Sequence, residues 1–345
     1  MLGYAYDKLN SADGTTIPSV NLSLTKKSVA EFLSCLKIQP HYTGDLLVLN
    51  PQMKLTSCWG TQALAYESNG KADSAKWALA EGNKCGAFPP SLVEYARNSL
   101  MECSVGSILF ISGDAITFPM MYVQLTEGKR TDVAVVNLDL LNTVWYPEML
   151  LKEGKILFGS TGAVLDSLNY IPWSDQPVSI SYPGGALQWT LSPTYHDYLL
   201  RGDRLVLAVL QNNHFRRDVF FTMNTPENQK ISLTPNLLPL GLVDQLVVKS
   251  MSQLPVQFYT NMNSLIIITA KDKTIQNNLD LIRILNLYRF KFLEGIQEML
   301  SEEKTEEAKT WLARMKKDLP PKYIPFNPPV IGEFVTKYEE QLGSK

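Results

Sequence analysis

The chain has 345 residues, of which 45% are hydrophobic and 19% are charged, and this composition excludes a disordered protein and predicts about two folded domains. Its 32 Lys and Arg residues against 34 Asp and Glu residues give a net charge of -2, which excludes the strongly basic surface of a nucleic-acid-binding protein. We expect neither a metal site nor a cofactor, because the histidines and cysteines stand at no ligand spacing: His41, His196, His214, Cys35, Cys58, Cys85 and Cys103.

The sequence carries no signature of export or membrane insertion. No apolar stretch reaches the roughly 18 residues that a membrane-spanning helix needs, so we expect no membrane span. The first residues lack the basic region and apolar segment of a signal peptide, and the sequence predicts none. The four cysteines lie in the first third of the chain among apolar or helical neighbours, which predicts buried free thiols.

The first third of the chain has the spacing of helices. Trp59, Ala63 and Tyr66 share one helical face, and Asn69-Gly70 ends that helix because glycine accepts the left-handed conformation after a helix. A second helix follows, and its small alanines predict close packing against the first, in a pattern that resembles a tetratricopeptide hairpin. Further helices are predicted at 2–9, 25–36 and 91–103.

The middle of the chain alternates β-branched runs with turns. Ser107–Ser112 and Asp132–Leu138 are largely apolar runs separated by a helix-length segment, so they predict a parallel βαβ unit whose strands are buried on both faces. The segment 172–193 is rich in Pro, Gly and aromatic residues and predicts an irregular or antiparallel excursion. Further strands are predicted at Val178–Tyr182, Arg204–Leu210, Asp218–Thr222, Leu246–Val248 and Leu265–Thr269.

The last part of the chain returns to amphipathic helix. Leu285, Phe292 and Ile296 belong to one apolar stripe, and a second helix is predicted from Thr305 to the prolines at 320 and 321. A third helix is predicted at 331–342. The chain is therefore predicted to be an α/β protein with a Rossmann-like, mostly parallel sheet, flanked by N- and C-terminal tetratricopeptide-like α-hairpins. The predicted domain bounds are 1–104, 105–275 and 276–345.

Two polar loops follow the strands of the predicted βαβ unit. Ligands of open α/β sheets bind beyond the carboxyl ends of the strands, so we expect Asp114 and Asp139 to approach each other across that crevice. Two carboxylates beside a helix N-terminus suit a cation, a sugar hydroxyl or a basic group, with nearby aromatic rings available for stacking. The candidate ligand-binding residues are Gly113, Asp114, Thr117, Asp139, Asn142, Thr143, Trp145 and Tyr146.

The same loops also have a purely structural interpretation. Thr117 suits a helix N-cap, and Asn142 or Thr143 suits the cap of the next helix, while Gly113 supplies a turn. The sequence contains neither a Gly-x-Gly-x-x-Gly motif nor a Gly-Lys-Ser/Thr loop, so it predicts no nucleotide-phosphate site. Its serines lack a nucleophile elbow, and none of its histidines stands in a recognisable catalytic context. No catalytic residue is therefore assigned.

One segment resembles a known family. Ile108–Asp114 reads Ile-Leu-Phe-Ile-Ser-Gly-Asp and Leu141–Tyr146 reads Leu-Asn-Thr-Val-Trp-Tyr. These motifs, with weaker likeness over roughly 56–320, resemble the soluble C-terminal portion of a bacterial membrane-protein family grouped with protein O-mannosyltransferases. The resemblance implies tetratricopeptide-like helices and an extracytoplasmic (periplasmic) location. The chain departs from the family in having Ala115 and Ile116 where a polar pair is usual, and it has no multi-helix membrane portion, so the resemblance does not carry over the transferase activity.

Three functions follow as hypotheses. The first is a non-catalytic binding or assembly protein that recognises a glycan or a protein partner at the α/β crevice or at the helical repeats. The second is a glycan-processing or glycosyltransferase-associated enzyme domain that uses Asp114 and Asp139. The third is a scaffold whose repeats bind a partner chain. The scarcity of histidine and cysteine favours binding over catalysis.

Overall fold

The computed structural model describes residues 1–11, 13–40, 50–159, 165, 167–268, 275 and 278–343. His41 and Thr269 lie outside the described residues. No helix within the described part of the chain is long and apolar enough to cross a membrane, in agreement with the sequence. All four cysteines are free, as predicted. Cys58 and Cys103 are buried, whereas Cys85 is half-buried and Cys35 is exposed, so the prediction of burial is wrong for these two.

Helices precede the sheet, as predicted. The helices at 51–68 and 72–84 pack closely because Gly82 has no side chain: a Cβ at this position would lie 2.8 Å from the Trp59 side chain. Ala75 and Ala78 are fully buried in the same contact. The helices are α1 (Leu2–Asn10), α2 (Leu22–Ile38), α3 (Pro51–Ser68), α4 (Ala72–Lys84) and α5 (Pro90–Glu102).

The centre of the chain forms a five-stranded sheet of order β2-β1-β7-β9-β8 and two small antiparallel sheets, β3-β6 and β4-β5. The strands are β1 (Ile108–Ile111), β2 (Ala134–Asn137), β3 (Ile171–Pro172), β4 (Gln176–Tyr182), β5 (Gly185–Leu191), β6 (Tyr198–Leu199), β7 (Val219–Thr222), β8 (Leu237–Pro239) and β9 (Val243–Leu246). The α/β class is confirmed. The sheet is mixed: β2, β1 and β7 are parallel, whereas β9 and β8 join as antiparallel strands, so only half of the pairings fit the expected mostly parallel sheet.

The predicted βαβ unit is present. Strand β1 lies between β2 and β7 and is completely buried, with Ile108 beside Ala134 of β2 and Val219 of β7. Helix α6 (Asp114–Leu125) connects β1 to β2, and helix α7 (Trp145–Lys152) follows β2. The helix α6 begins two residues after the strand, because Gly113 takes a positive φ of 84° that permits the sharp turn.

One predicted strand is a helix. Arg204–Leu210 belongs to α8 (Arg201–Asn213), and the prediction failed because its apolar run suits either structure. Two local features favour the helix. The side chain of Asp203 accepts a hydrogen bond from the backbone N–H of Leu200 at the helix start. The buried side chains also recur at helical spacing along one face: Leu205, Val206, Val209 and Leu210.

The predicted strand at 265–269 does not form over its described residues, 265–268. The exposed fraction alternates as in a strand, from 8% at Leu265 to 53% at Ile266. Side chains of α5 take the place of a neighbouring strand: the Ile266 amide donates to Asn98 Oδ1 at 3.4 Å, and the Ile268 amide donates to Glu94 Oε2 at 2.9 Å. The segment is therefore extended but pairs with no strand among the described residues.

Helices also follow the sheet, and they contact the first group. They are α9 (Val256–Ser264), α10 (Leu279–Ser301), α11 (Thr305–Asp318) and α12 (Val330–Gln341). Tyr288 of α10 packs edge-on against Tyr95 of α5 with ring centroids 5.6 Å apart, and its hydroxyl accepts a hydrogen bond from Asn98 at 2.9 Å. The division at residues 104 and 275 stays a prediction.

Candidate functional site

A cavity of about 420 Å³ lies at the carboxyl end of the parallel strands, where the sequence predicts a crevice. Its floor comes from the loops after β1 and β2 and from the start of α6. Its other wall comes from α1, the short 3-10 helix Gly14–Ser19 and α3. Its charged and polar lining residues include Asp7, Asp13, Lys54, Ser57, Asp114, Asp139 and Asn142.

Asp139 holds the β1–α6 turn. Its carboxylate accepts hydrogen bonds from the Ser112 hydroxyl at 2.9 Å and from the Gly113 backbone amide at 2.9 Å, both on Oδ2. Its Oδ1 accepts one from Gln229 Nε2 at 2.6 Å. The residue is exposed, but both of its oxygens have protein donors. A carboxylate therefore lies at the N-terminal end of α6, where the unpaired amides and the helix dipole favour a negative charge.

Asn137, at the end of β2, is buried and links the two loops from below. Its Nδ2 donates to Thr117 Oγ1 at 2.7 Å, and its Oδ1 accepts from the Leu140 amide at 2.8 Å. The backbone amide of Asn137 donates to the Tyr146 hydroxyl at 2.9 Å. Every polar group of this buried side chain has a partner, which fixes the positions of both loops.

Asp114 is the first residue of α6 and faces α3. Its Oδ2 accepts a hydrogen bond from the Ser57 hydroxyl at 2.6 Å. The residue is accessible to solvent, yet protein atoms crowd its carboxyl within the cavity, and this desolvation raises the pKa. The Ser57 hydrogen bond and the charge of Lys54 oppose the rise, whereas the nearby charges of Asp139 and Asp7 add to it. Asp114 and Asp139 thus line the same cavity at the carboxyl end of the strands, where the sequence places them.

The helical wall supplies an ion pair between Lys54 and Asp7 and a further carboxylate, Asp13. Lys54 Nζ lies 2.7 Å from Asp7 Oδ2, and both side chains are largely buried. Asp13 caps the 3-10 helix by accepting hydrogen bonds from the Thr15 hydroxyl and amide, which lower the pKa of Asp13. These charges face the two carboxylates of the sheet edge across the cavity.

The predicted site residues separate into two groups. Asp114, Asp139, Asn142 and Thr143 line the cavity, and Gly113 forms the turn beside them. Three others support the structure: Thr117 bonds the Gly113 carbonyl, Trp145 Nε1 donates to the Gly14 carbonyl at 2.8 Å, and the Tyr146 ring is buried. Whether any of them binds a ligand stays a prediction.

Some of the predicted capping residues do support helix starts, but not at the helices and positions that the sequence predicts. Helix α6 begins at Asp114, so Thr117 lies inside it rather than at its cap. The Asn142 side chain accepts a hydrogen bond from the Gly202 amide at 2.9 Å and so supports the start of α8 instead of α7. Only Thr143 contacts the first turn of α7, where it accepts from the Tyr146 amide at 3.4 Å.

Sequence reasoning missed the helical wall. Asp7, Lys54 and Ser57 are distant from the strand loops in the sequence, and no motif connects them. One signal was available: Lys54 stands between Met53 and Leu55 in an apolar stretch of α3, where a buried lysine needs a partner.

Two other arrangements that could support catalysis, a metal site and a serine–histidine pair, find little support in the described residues. No group of three or more His, Cys, Asp or Glu side chains within the described ranges is placed to hold a metal ion. The Ser181 hydroxyl lies 2.9 Å from His214 Nδ1, a pairing that the sequence gives no hint of. The same nitrogen lies 3.1 Å from the Ser181 carbonyl, and both residues are exposed, so the pair lacks the orientation that a nucleophile requires.

Comparison with known proteins yields one partial match. Residues 92–154 match a family model described as TMEM260-associated domain 2. The matched region is less than a fifth of the chain, but it contains β1, α6, β2 and α7 and all eight predicted site residues. No curated protein and no solved structure matches the chain.

Proposed function

We propose that the protein is a non-catalytic binding protein whose ligand, a neutral glycan, occupies the cavity at the carboxyl edge of the sheet. The observation that carries this proposal is the position of Asp139. In α/β proteins that bind phosphates, the anion lies at the helix N-terminus that follows the first strand. Here the carboxylate of Asp139 accepts the Gly113 amide at that point, which disfavours a nucleotide or another phosphate-bearing ligand.

The charge of the lining supports the same conclusion. Four carboxylates line the cavity, against two lysines, Lys8 and Lys54. Lys54 already pairs with Asp7, so the remaining field is negative. An anionic ligand would be repelled, because like charges in a confined site interact more strongly than they do in water.

The hydrogen-bonding groups of the cavity match a ligand rich in hydroxyls. Ionised carboxylates only accept hydrogen bonds, while amides and hydroxyls such as Asn142 and Ser57 both donate and accept. Sugar hydroxyls meet both needs without carrying charge. The expected relation to O-mannosyltransferase-like proteins and the match to a TMEM260-associated domain concern these same loops, and they make glycans the first ligands to test.

An enzyme domain that processes glycans is the second candidate. The raised pKa of Asp114 favours it, because burial shifts the pKa of this carboxyl in the direction that a general acid requires. The bonds of Asp139 oppose it, because a general base or nucleophile needs an oxygen free to meet water or the sugar. The same site therefore suits holding a glycan better than cleaving one.

The test is a glycan array followed by calorimetry with the best ligand. Asp114→Asn keeps the shape of the side chain and removes its charge, and we expect affinity to fall about tenfold, the effect of losing one charged acceptor. Asp175→Asn is the control, because Asp175 is exposed and does not line the cavity. An array without any bound glycan would overturn the proposal. Mass spectrometry showing shortened or transferred glycans would establish the enzyme instead.

A further inference from the structure

A second cavity lies among the C-terminal helices and shares no lining residue with the sheet-edge cavity. Its volume is about 650 Å³, within the range of ligand sites, and it runs between α9 and the junction of α10 with α11. We refer to it as the C-terminal groove. Tyr259 and Trp311 form its aromatic wall, with ring centroids 5.5 Å apart, and Leu254, Val256 and Met299 add apolar surface.

The groove has apolar and polar groups that nothing in the described structure uses. Val256 is 81% exposed at its edge, although it begins a helix whose other face is buried. The hydroxyl oxygen of Tyr259 is shielded from solvent and has no hydrogen-bond partner among the described residues. A shielded hydroxyl without a partner and an exposed apolar surface both cost free energy, and a bound ligand would remove both costs.

The charges of the groove favour a cation. Its two positive side chains are already paired with carboxylates. Lys304 Nζ lies 2.7 Å from Glu302 Oε2, and Arg314 Nε lies 3.3 Å from Asp318 Oδ2. Glu307 lines the same cavity. The pKa of Tyr259 rises to about 12, first through burial and then through the charges of nearby glutamates, Glu298, Glu302, Glu307 and Glu294. Among the described residues, Glu307 is then the charged side chain of the lining without an ion pair, so the groove offers one negative charge beside its apolar surface.

We propose that the C-terminal groove binds a basic segment of a partner polypeptide. A Lys or Arg side chain fits its chemistry, because the aliphatic stem packs on Tyr259 and Val256 while the cationic head meets Glu307. The backbone of the same segment supplies an acceptor for the Tyr259 hydroxyl. This interaction is independent of the glycan proposal, because it uses none of the residues of the sheet-edge cavity.

The test measures fluorescence polarisation of labelled peptides with the full chain. The peptides share a Gly-Leu-x-Leu-Gly core in which x is Lys, Arg, Gln or Glu. We expect the Lys and Arg peptides to bind, the Gln peptide to bind weakly and the Glu peptide not to bind. Raising the salt concentration should weaken the interaction, as it does for exposed ion pairs.

Two neighbouring glutamates give a matched pair of variants. Glu307→Gln should weaken binding of the Lys peptide about fivefold, the effect of one partly exposed ion pair. Glu306→Gln should leave it unchanged, because Glu306 pairs with Lys309 and does not line the groove. Tyr259→Phe should also weaken binding, because it removes the hydroxyl that donates to the backbone of the bound segment.

Three results would overturn the proposal. They are equal binding of the Lys and Gln peptides, equal losses in the two glutamate variants, and sedimentation showing that a second copy of the chain fills the groove. Circular dichroism verifies that each variant is folded. Asp114→Asn should not alter peptide binding, so a failure of the glycan proposal can be told apart from a failure of the peptide proposal.

Discussion

Replacing Asp139 by alanine tests the structural role given to this carboxylate. The substitution removes the acceptor of three donors, from Ser112, Gly113 and Gln229. Because the site is exposed, water replaces part of each interaction, and we assign about 0.5–1 kcal/mol to each bond. The summed loss is about 2 kcal/mol of unfolding free energy, measurable by urea denaturation monitored by circular dichroism.

The same variant should gain a property that the natural chain lacks. Without the Asp139 carboxylate, the Gly113 amide and the first turn of α6 have no negative partner, and an inorganic anion can occupy the position. With a phosphate dissociation constant of about 10 mM, 100 mM phosphate would restore about 1.4 kcal/mol of stability. Urea denaturation in phosphate and in chloride at equal ionic strength separates this binding from screening.

Asp132→Ala is the matched control. Asp132 likewise accepts a hydrogen bond from a backbone amide, that of Gly106 at 3.1 Å, and pairs with Arg130 at 3.0 Å, but it lies before β2 rather than at the start of α6. Its loss should destabilise the fold without creating a phosphate response. If phosphate stabilises the natural chain, Asp132→Ala and Asp139→Ala equally, the assignment of Asp139 to an anion position is wrong.

Three further predictions concern stability. Gly60→Ala should cost about 3 kcal/mol in thermal unfolding, because a Cβ there overlaps the Phe118 ring, and a loss below about 1 kcal/mol would mean that the ring moves aside. Arg201→Lys should cost about 3 kcal/mol in urea unfolding, since its buried guanidinium donates to four backbone carbonyls that an ammonium cannot all reach; an unchanged midpoint would contradict this. The Arg130 hydrogen bonds lower the folded pKa of Asp132 to about 2, so its contribution is complete above the unfolded value of 3.8 and is lost as pH falls through the folded value. Asp132→Asn should therefore flatten the stability–pH curve between these two values by about 1 kcal/mol after solvent screening, and an identical acid limb would refute the assignment.

The sequence predicts what depends on short, unambiguous patterns. The strands β1 and β2 and the crossover helix follow from two buried apolar runs at the spacing of a βαβ unit. The position of Asp114 and Asp139 in one cavity follows from topology alone, since parallel strands end at the same edge of the sheet. The run at Arg204–Leu210 fails because β-branched and leucine residues in unbroken succession suit a strand as well as a buried helix.

The missing parts of the site depend on tertiary contacts without a local signature. Ser57 reaches Asp114 across 57 positions, and Lys54 reaches Asp7 across 47 positions. Neither contact belongs to a motif, and each of these side chains is an ordinary helix residue when read alone. The extended segment at 265–268 shows the reverse case, because its alternating pattern is real but the partners that satisfy it are Asn98 and Glu94 of a helix.

The wall of the sheet-edge cavity has a consequence for the order of folding. The contact between Trp145 Nε1 and the Gly14 carbonyl joins residues 131 positions apart, and it attaches the N-terminal segment to the start of α7. Closing so long a loop costs chain entropy that only later contacts repay, so such contacts form slowly. During refolding, helical circular dichroism should therefore return before the cavity does. A ligand of that cavity would report the final docking of the first 19 residues, and its binding would time the last step by which the chain becomes functional.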